Sequence, residues 1–324
     1  MRLLAISIIL LSLCFKSPIS EQRYLTKEKC LILRAILPFL VILQHCSGFI
    51  NIPYISSDFG IVGSAAVGLF FFFSGYGLEV KKEKDSLKLT ELPLRICKLL
   101  YKLIIPTILF YLINILLNNS IIDVLINTFE MNFYILPYSW FIITLCILYI
   151  LFYLSYILTK RYHLHSLLGF IFILHVICMK FNVPTYIYIS NLAFFSGAIY
   201  KRYECNIIKL RLSHLKWCSI LCLGLLTIFA IRLPDGLRPL FRFFWTFSFM
   251  ALYATLPSIK TNNLWNYLNT IGLQVYLCQG IAFLLIPDKG FNGTLRTILI
   301  IGLTIIIASI VNKLYAKLNI TKRW

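Results

Sequence analysis

Apolar runs close to 20 residues long recur from residue 31 to residue 312, and they constrain the fold more than any other feature of the sequence. A helix of about 20 residues rises ~30 Å, which matches the hydrocarbon core of a bilayer. Only 13% of the residues are charged, whereas soluble domains average about 25%. We therefore predict an all-α, polytopic membrane protein with about ten transmembrane helices in one bundle. The predicted spans are 31–50, 61–79, 99–118, 139–158, 166–181, 186–200, 217–232, 239–257, 266–286 and 294–312.

Lysine and arginine residues gather in alternate loops between these runs. The basic segments are 80–98, 159–165, 201–216, 258–265 and 313–324, whereas 51–60 and 119–138 contain neither residue type. Cytoplasmic loops of membrane proteins carry this excess of positive charge. The pattern predicts a multi-pass protein of the inner (cytoplasmic) membrane with both termini cytoplasmic and a basic tail at 313–324. It also accounts for the net charge of +19, so we expect the lipid bilayer, and no nucleic acid, as partner.

Residues 1–30 form an N-terminal segment with two interpretations. A basic start is followed by a short apolar stretch, as in the core of a signal peptide. That stretch is short for a transmembrane helix. The segment is either interfacial or signal-like, and a spanning helix here would invert the orientation that the loop charges indicate.

Arg34 and His45 are the only arginine and histidine in the first span, and eleven residues separate them. Eleven helical steps of about 100° end ~20° past three full turns, so both side chains lie on one face. Ionisable groups inside a membrane are costly and usually face the protein interior, where they mark a functional path. A neutral imidazole is a natural general base, and a guanidinium suits a phosphate or carboxylate. Packing for His45 and snorkelling for Arg34 are the alternatives.

Two further segments bring polar groups to the predicted cytoplasmic side. Ser74 and Tyr76 interrupt the apolar second span beside two glycines and either face a cavity or only pack. Arg95 and Lys98 share a helical face at the start of the third span. They either contact lipid headgroups or bind phosphates on the side of Arg34.

Arg238 and Arg242 lie four residues apart on the opposite side, against the trend of the loop charges. Solvation beside Asp235 is one interpretation. A contact with an anionic glycan or another acceptor anion is the other.

Five sequence elements, in order, resemble the acyltransferase-3 family from about residue 30 to residue 312. They are Arg34-x10-His45, Leu-Phe-Phe-Phe-Phe-Ser-Gly-Tyr-Gly at 69–77, the basic pair before Ile-Ile-Pro at 104–106, Pro-Tyr-Ser-Trp-Phe at 137–141, and Ile-Gly-Leu-Gln-Val-Tyr-Leu-Cys-Gln at 271–279. The resemblance implies that residues 31–312 form a ten-helix membrane acyltransferase domain. Such enzymes move an acyl group, usually acetyl, from cytosolic acyl-CoA to a hydroxyl group, often of a sugar.

The resemblance also implies roles for individual residues. His45 would be the catalytic histidine, as a base or an acyl relay. Acyl-donor binding would fall to Arg34, Arg95 and Lys98, although the family has an arginine where this chain has Lys98. The implied pocket-lining residues are Ser74, Tyr76, Trp140, Tyr276 and Gln279. Gln279 replaces a histidine that is common in the family, and it cannot shuttle a proton.

The implied function is O-acetylation of a cell-surface glycan or its precursor, with acyl-CoA as co-substrate and a sugar or glycan acceptor as partner. We expect no bound cofactor and no metal, because the ten cysteines form no C-x-x-C pair. The alternative is a multi-span transporter or flippase for a glycan or small anion. Proton-coupled carriers usually place carboxylates within their helices, whereas here the acidic residues lie in loops, in termini or, as with Glu79, at a span end. No oligomeric state is predicted.

Overall fold

The computed structural model describes residues 2–14, 25–49, 55–84, 87–132, 135–210, 212–229, 235–257, 260–287, 290 and 292–318. Most of these residues are helical and no strand occurs among them, so the all-α class is confirmed. The helices are α1 (Arg2–Cys14), α2 (Lys27–Cys46), α3 (Ile55–Glu83), α4 (Glu91–Leu116), α5 (Ile121–Asn132), α6 (Trp140–Thr159), α7 (His163–Lys180), α8 (Thr185–Tyr188), α9 (Asn191–Lys209), α10 (Leu212–Phe229), α11 (Arg238–Ala254), α12 (Asn263–Leu285) and α13 (Gly293–Lys317).

Six helical segments of the described chain are long and apolar enough to cross a membrane. They are Lys27–Cys46, Val62–Glu83, Glu91–Leu116, Trp140–Lys180, Asn263–Leu285 and Gly293–Lys317. The fourth is 41 residues long and contains both α6 and α7. The more polar helix α9 and the shorter helices α10 and α11 are not among the six. The chain is thus a helical membrane protein, and the count of ten spans remains a prediction.

Helices α2, α3, α9 and α12 form the centre of the bundle. Helix α3 packs along both α2 and α9, and α2 also packs along α12. The crossing of α3 and α9 brings the two backbones together, because a Cβ atom at Gly75 would overlap the carbonyl oxygen of Phe194. At the reciprocal position, a Cβ atom at Gly197 would overlap the carbonyl oxygen of Phe72. Small residues at helix crossings are a general feature of membrane bundles.

One end of the bundle carries a dense set of ion pairs. We call it the basic end, and it contains the starts of α2 and α4 and the ends of α3, α9 and α11. Here Lys201 Nζ lies 3.4 Å from Glu83 Oε2, and the buried Glu204 accepts the backbone N–H of Leu25 at 3.2 Å. Lys29 Nζ donates to the carbonyl of Ala254 at 2.8 Å. These contacts hold together the helix ends that the loop charges assign to one side.

The structure differs from the predicted spans at several places. Residues 119–138 were expected to be a loop, but they contain the amphipathic helix α5. Helix α3 begins at Ile55, within the segment 51–60 that was expected to be a loop, of which residues 51–54 are not described. His163, expected in a loop, starts α7 and is buried against Glu79, with 2.8 Å between Nε2 and Oε2. This buried hydrogen-bonding contact lies at the point where α7 begins.

The N-terminal segment contains helix α1, which packs against α3, α10 and α11. Its buried residues Ala5, Ile8 and Ser12 are spaced three and four apart and so form one stripe. Residues 1 and 15–24 of this segment and the end of the predicted basic tail, 319–324, lie outside the described residues. The choice between an interfacial and a signal-like segment therefore stays open.

Candidate active site

Helix α2 positions Arg34 and His45 inside the bundle, at opposite ends of one face. Thr26 caps the helix by accepting the backbone N–H of Lys29, which fixes the start of its first turn. Arg34 lines one interior cavity and His45 lines another. With a rise of 1.5 Å per residue, eleven residues place the two side chains about 16 Å apart along the helix axis.

The first cavity, which we call the basic cavity, has a volume of about 400 Å³. Arg34, Lys81 and Arg95 contribute three cations to its wall. Glu91 lies 2.8 Å from Lys81 Nζ and 3.4 Å from Arg95 Nη2, so one carboxylate bridges two of them. The remaining lining includes Phe70, Phe73, Ser74, Tyr149, Asn269 and Tyr276. A cavity with excess positive charge beside aromatic surface suits an anion that carries an organic group.

The second cavity, which we call the histidine cavity, has a volume of about 220 Å³. Its polar and aromatic lining residues are Gln44, His45, Ser64, Tyr138, Trp140, Tyr186, Ser190 and Tyr276. The ring centroids of His45 and Tyr138 lie 4.1 Å apart, and Trp140 packs edge-on against Tyr186 at 5.5 Å. Amphipathic rings with a few hydroxyl and amide groups are typical of small-molecule sites.

Tyr276 lines both cavities and therefore stands between them. It is 3% exposed, and its ring lies 5.3 Å from that of Phe141. Gln279 donates from Nε2 to the carbonyl of Tyr276 at 2.9 Å. The two cavities thus border the same side chain on α12.

The structure brings most of the predicted site residues to these two cavities. Ser74 and Arg95 line the basic cavity with Arg34, and Trp140 lines the histidine cavity with His45.

Three of the residues predicted to bind the donor or line the pocket lie elsewhere. Tyr76 lines neither cavity and donates its hydroxyl to Glu204 at 2.9 Å. Lys98 is exposed and outside the basic cavity, and Gln279 is fully buried without lining either one.

The two arginines of the opposite side have different environments. Arg238 is exposed. Arg242 is only 6% exposed, and its Nη2 donates to the Ser64 hydroxyl at 2.6 Å. Since Ser64 lines the histidine cavity, Arg242 supports that cavity's wall. The interpretation that Arg242 is solvated beside Asp235 therefore does not fit its burial.

Lys81 and Asn269 are among the lining residues of the basic cavity that the sequence analysis missed. Lys81 is seven residues after Ser74, so it follows the same face of α3, and this spacing was a usable signal. Asn269 lies on α12, and the packing of α12 on α2 brings it to the cavity. Its sequence context gave no signal.

The described fold is that of a helical membrane protein with an internal polar site. Over residues 32–313 the chain matches the family model described as an acyltransferase domain, and it belongs to the acyltransferase-3 family. The comparisons with curated proteins and with solved structures gave no match. The resemblance seen in the sequence motifs is thereby confirmed, and the protein is a membrane acyltransferase.

Proposed function

We propose that this protein is an O-acyltransferase that moves an acyl group, acetyl in the first instance, from cytosolic acyl-CoA to a hydroxyl of a cell-surface glycan or glycan precursor. The observation that carries the proposal is the pair of cavities along one face of α2. One is rich in cations, the other contains a histidine, and both share Tyr276.

The basic cavity would receive the donor. Arg34, Lys81 and Arg95 face it from three helices and outnumber the single carboxylate Glu91. Guanidinium groups bind phosphate oxygens with paired, charge-assisted hydrogen bonds. The basic end would face the cytosol, where positive loop charge belongs and where acyl-CoA is available.

The histidine cavity would hold the acceptor and the reaction. Its aromatic side chains offer flat apolar surfaces to a sugar ring, and Gln44 and Ser190 offer hydrogen bonds. A donor whose phosphates lie near Arg34 reaches His45 with an extended arm that passes Tyr276, because both cavities border that residue.

His45 would act on the acceptor hydroxyl. The imidazole takes the hydroxyl proton as the oxygen attacks the thioester carbonyl carbon, a C–O bond forms, and the C–S bond breaks. The leaving thiolate then receives that proton and departs as the free thiol of CoA. If His45 instead acts as a relay, its nitrogen first accepts the acyl group and the acceptor hydroxyl removes it in a second step.

Liposomes that contain the purified protein test the proposal. With radiolabelled acetyl-CoA outside and glycan acceptor present, we expect free CoA and labelled glycan in equal amounts. Cells that lack the gene should also lose O-acetyl groups from the acceptor glycan. Unchanged O-acetylation without the gene would contradict the proposal, and uptake of a solute without thioester cleavage would favour a transporter.

Arg95→Ala is expected to raise the KM for acyl-CoA about tenfold or more. A hydrogen bond to a charged group contributes about 1.5–3 kcal/mol, and 1.4 kcal/mol corresponds to a factor of ten. Lys98→Ala should raise this KM less, since Lys98 is exposed and does not line the cavity. Steady-state kinetics with varied acyl-CoA measures both effects.

Arg202→Ala is a matched control, because Arg202 is an exposed arginine on α9 that lines neither cavity. Its KM for acyl-CoA should equal that of the unmodified protein. A KM for Arg95→Ala no higher than that of Arg202→Ala would remove Arg95 from the donor site.

A further inference from the structure

The segment before α6 is a tight turn with tyrosine at a position that normally holds glycine or asparagine. In Leu136-Pro137-Tyr138-Ser139, the backbone N–H of Ser139 donates to the carbonyl of Leu136 at 3.1 Å, and the Ser139 hydroxyl donates to the same carbonyl at 2.7 Å. Tyr138 has φ +67°. A proline followed by a residue with positive φ is typical of a type II turn, and glycine or asparagine normally occupies the second of these positions. A tyrosine there is strained, because its Cβ crowds the backbone.

The strained turn places the Tyr138 ring directly on His45. The two ring centroids lie 4.1 Å apart with an interplanar angle of 41°, and Phe283 lies 6.1 Å from the Tyr138 ring and 6.4 Å from that of His45. The turn itself rests on α12 at Gly280, where a Cβ atom would lie 3.2 Å from Pro137 Cβ. The turn and its contact with α12 together place the ring of Tyr138 against His45.

A glycine or an asparagine at position 138 would form the same turn with less strain, but neither would contact His45 with a ring. Backbone strain of this kind persists where the surrounding structure requires it, and it concentrates at functional sites. In this turn, the residue with positive φ is the one whose ring contacts His45, and both residues line the histidine cavity.

We infer that Tyr138 is a positioning residue for His45: its ring, held there by a strained turn, fixes the plane of the imidazole for the reaction. The inference rests on the proposed function of His45. A ring whose centroid lies 4.1 Å from that of the imidazole, tilted by 41° against it, restricts the rotation of the imidazole and covers one of its faces from water. The nitrogens at the edge of the imidazole are then left for substrate. Tyr138 acts through His45 by this contact and needs no proton transfer of its own.

Three variants distinguish the effect of the Tyr138 ring from the effect of the strained turn. Tyr138→Gly and Tyr138→Ala both remove the ring, and only glycine relieves the positive φ. We expect both to lose tenfold or more in kcat, with an unchanged KM for acyl-CoA because the basic cavity is untouched. Tyr138→Gly should nevertheless melt at a higher temperature than Tyr138→Ala. Tyr138→Phe keeps the ring and should keep kcat within a few-fold.

A purely structural role would link activity to stability, so that the more stable glycine variant would be the more active one. A normal kcat in Tyr138→Gly would overturn the inference. A loss of kcat in Tyr138→Phe equal to that in Tyr138→Gly would also overturn it. The hydroxyl of Tyr138, and not the contact of its ring with His45, would then determine kcat.

Chemical modification of His45 distinguishes a failure of this inference from a failure of the proposed function. Diethyl pyrocarbonate modifies exposed imidazoles, and mass spectrometry follows the modification of His45 whether or not the protein transfers acyl groups. We expect faster modification in Tyr138→Gly than in Tyr138→Phe or the unmodified protein. Equal rates in the glycine and phenylalanine variants would show that the ring does not cover His45.

Discussion

Replacing His45 by alanine is expected to lower acyl transfer about 10²–10⁴-fold, the usual contribution of a positioned acid–base group. The imidazole lines the histidine cavity and no other described histidine does, so no second imidazole there can take over the proton or the acyl group. Alanine is the best helix former, and α2 should still insert and pack. Labelled product from radiolabelled acetyl-CoA measures the loss, and size-exclusion profiles in detergent report the fold.

His175→Ala provides the matched control for this experiment. His175 is also a histidine within an apolar helix, α7, where its ring packs against Tyr188 at 4.7 Å, but it lines neither cavity. This variant should keep transfer within a few-fold of the unmodified rate. Equal losses in the two variants would mean that a histidine matters only for packing, and full activity of His45→Ala would remove His45 from the mechanism.

The helical class of the fold could be read from the sequence because a bilayer leaves few alternatives. Backbone polar groups in lipid must be paired within the segment, so an apolar run near 20 residues implies a helix. The ends of the helices could not be read equally well. Helix α7 begins at His163, which contacts Glu79 on another helix, and a contact between helices is not visible in the local sequence. Helix α5 is amphipathic, and its polar residues resemble those of a loop.

Whether a predicted site residue lines a cavity depends on its angular position on the helix. Arg34 and His45 are eleven residues apart, about 20° from perfect alignment, and both line interior cavities. The side chains of residues three apart on a helix point in directions that differ by about 60°. In this bundle, one of two such residues can line a cavity while the other lies on the helix surface or in an interface. Arg95 lines a cavity and Lys98 does not.

The same angular argument applies to the other predicted pocket residues. Tyr276 lines both cavities, whereas Gln279, three residues later, packs in an interface. Ser74 and Tyr76, two residues apart, point to different sides of α3, and Tyr76 reaches Glu204. Positions on one helix were thus predictable, while contacts between helices, such as that of Tyr138 with His45, required the packed structure.

Enlarging Gly75 is expected to have the largest effect on stability. A Cβ atom there would overlap the carbonyl oxygen of Phe194 and lie within contact of the backbone nitrogen of Ala198, and backbone atoms cannot rotate away as a side chain can. Helices α3 and α9 must then separate, which opens the packing at the centre of the bundle. Overpacking of this kind typically costs about 1–3 kcal/mol, occasionally more. Gly75→Ala should lower the melting temperature measurably, and Gly75→Leu should prevent accumulation of folded protein.

Gly77→Ala is the matched control on the same helix, two residues away. A Cβ atom at Gly77 meets nothing within 4 Å, and alanine favours a helix over glycine by about 0.5–1 kcal/mol. This variant should therefore melt at or slightly above the temperature of the unmodified protein, as measured by thermal unfolding in detergent. If Gly75→Ala and Gly77→Ala melt together, α3 and α9 are not in backbone contact at Gly75. Helix α3 also carries Ser74 and Lys81, which line the basic cavity. Such a result would therefore mean that one wall of the proposed donor site is placed differently.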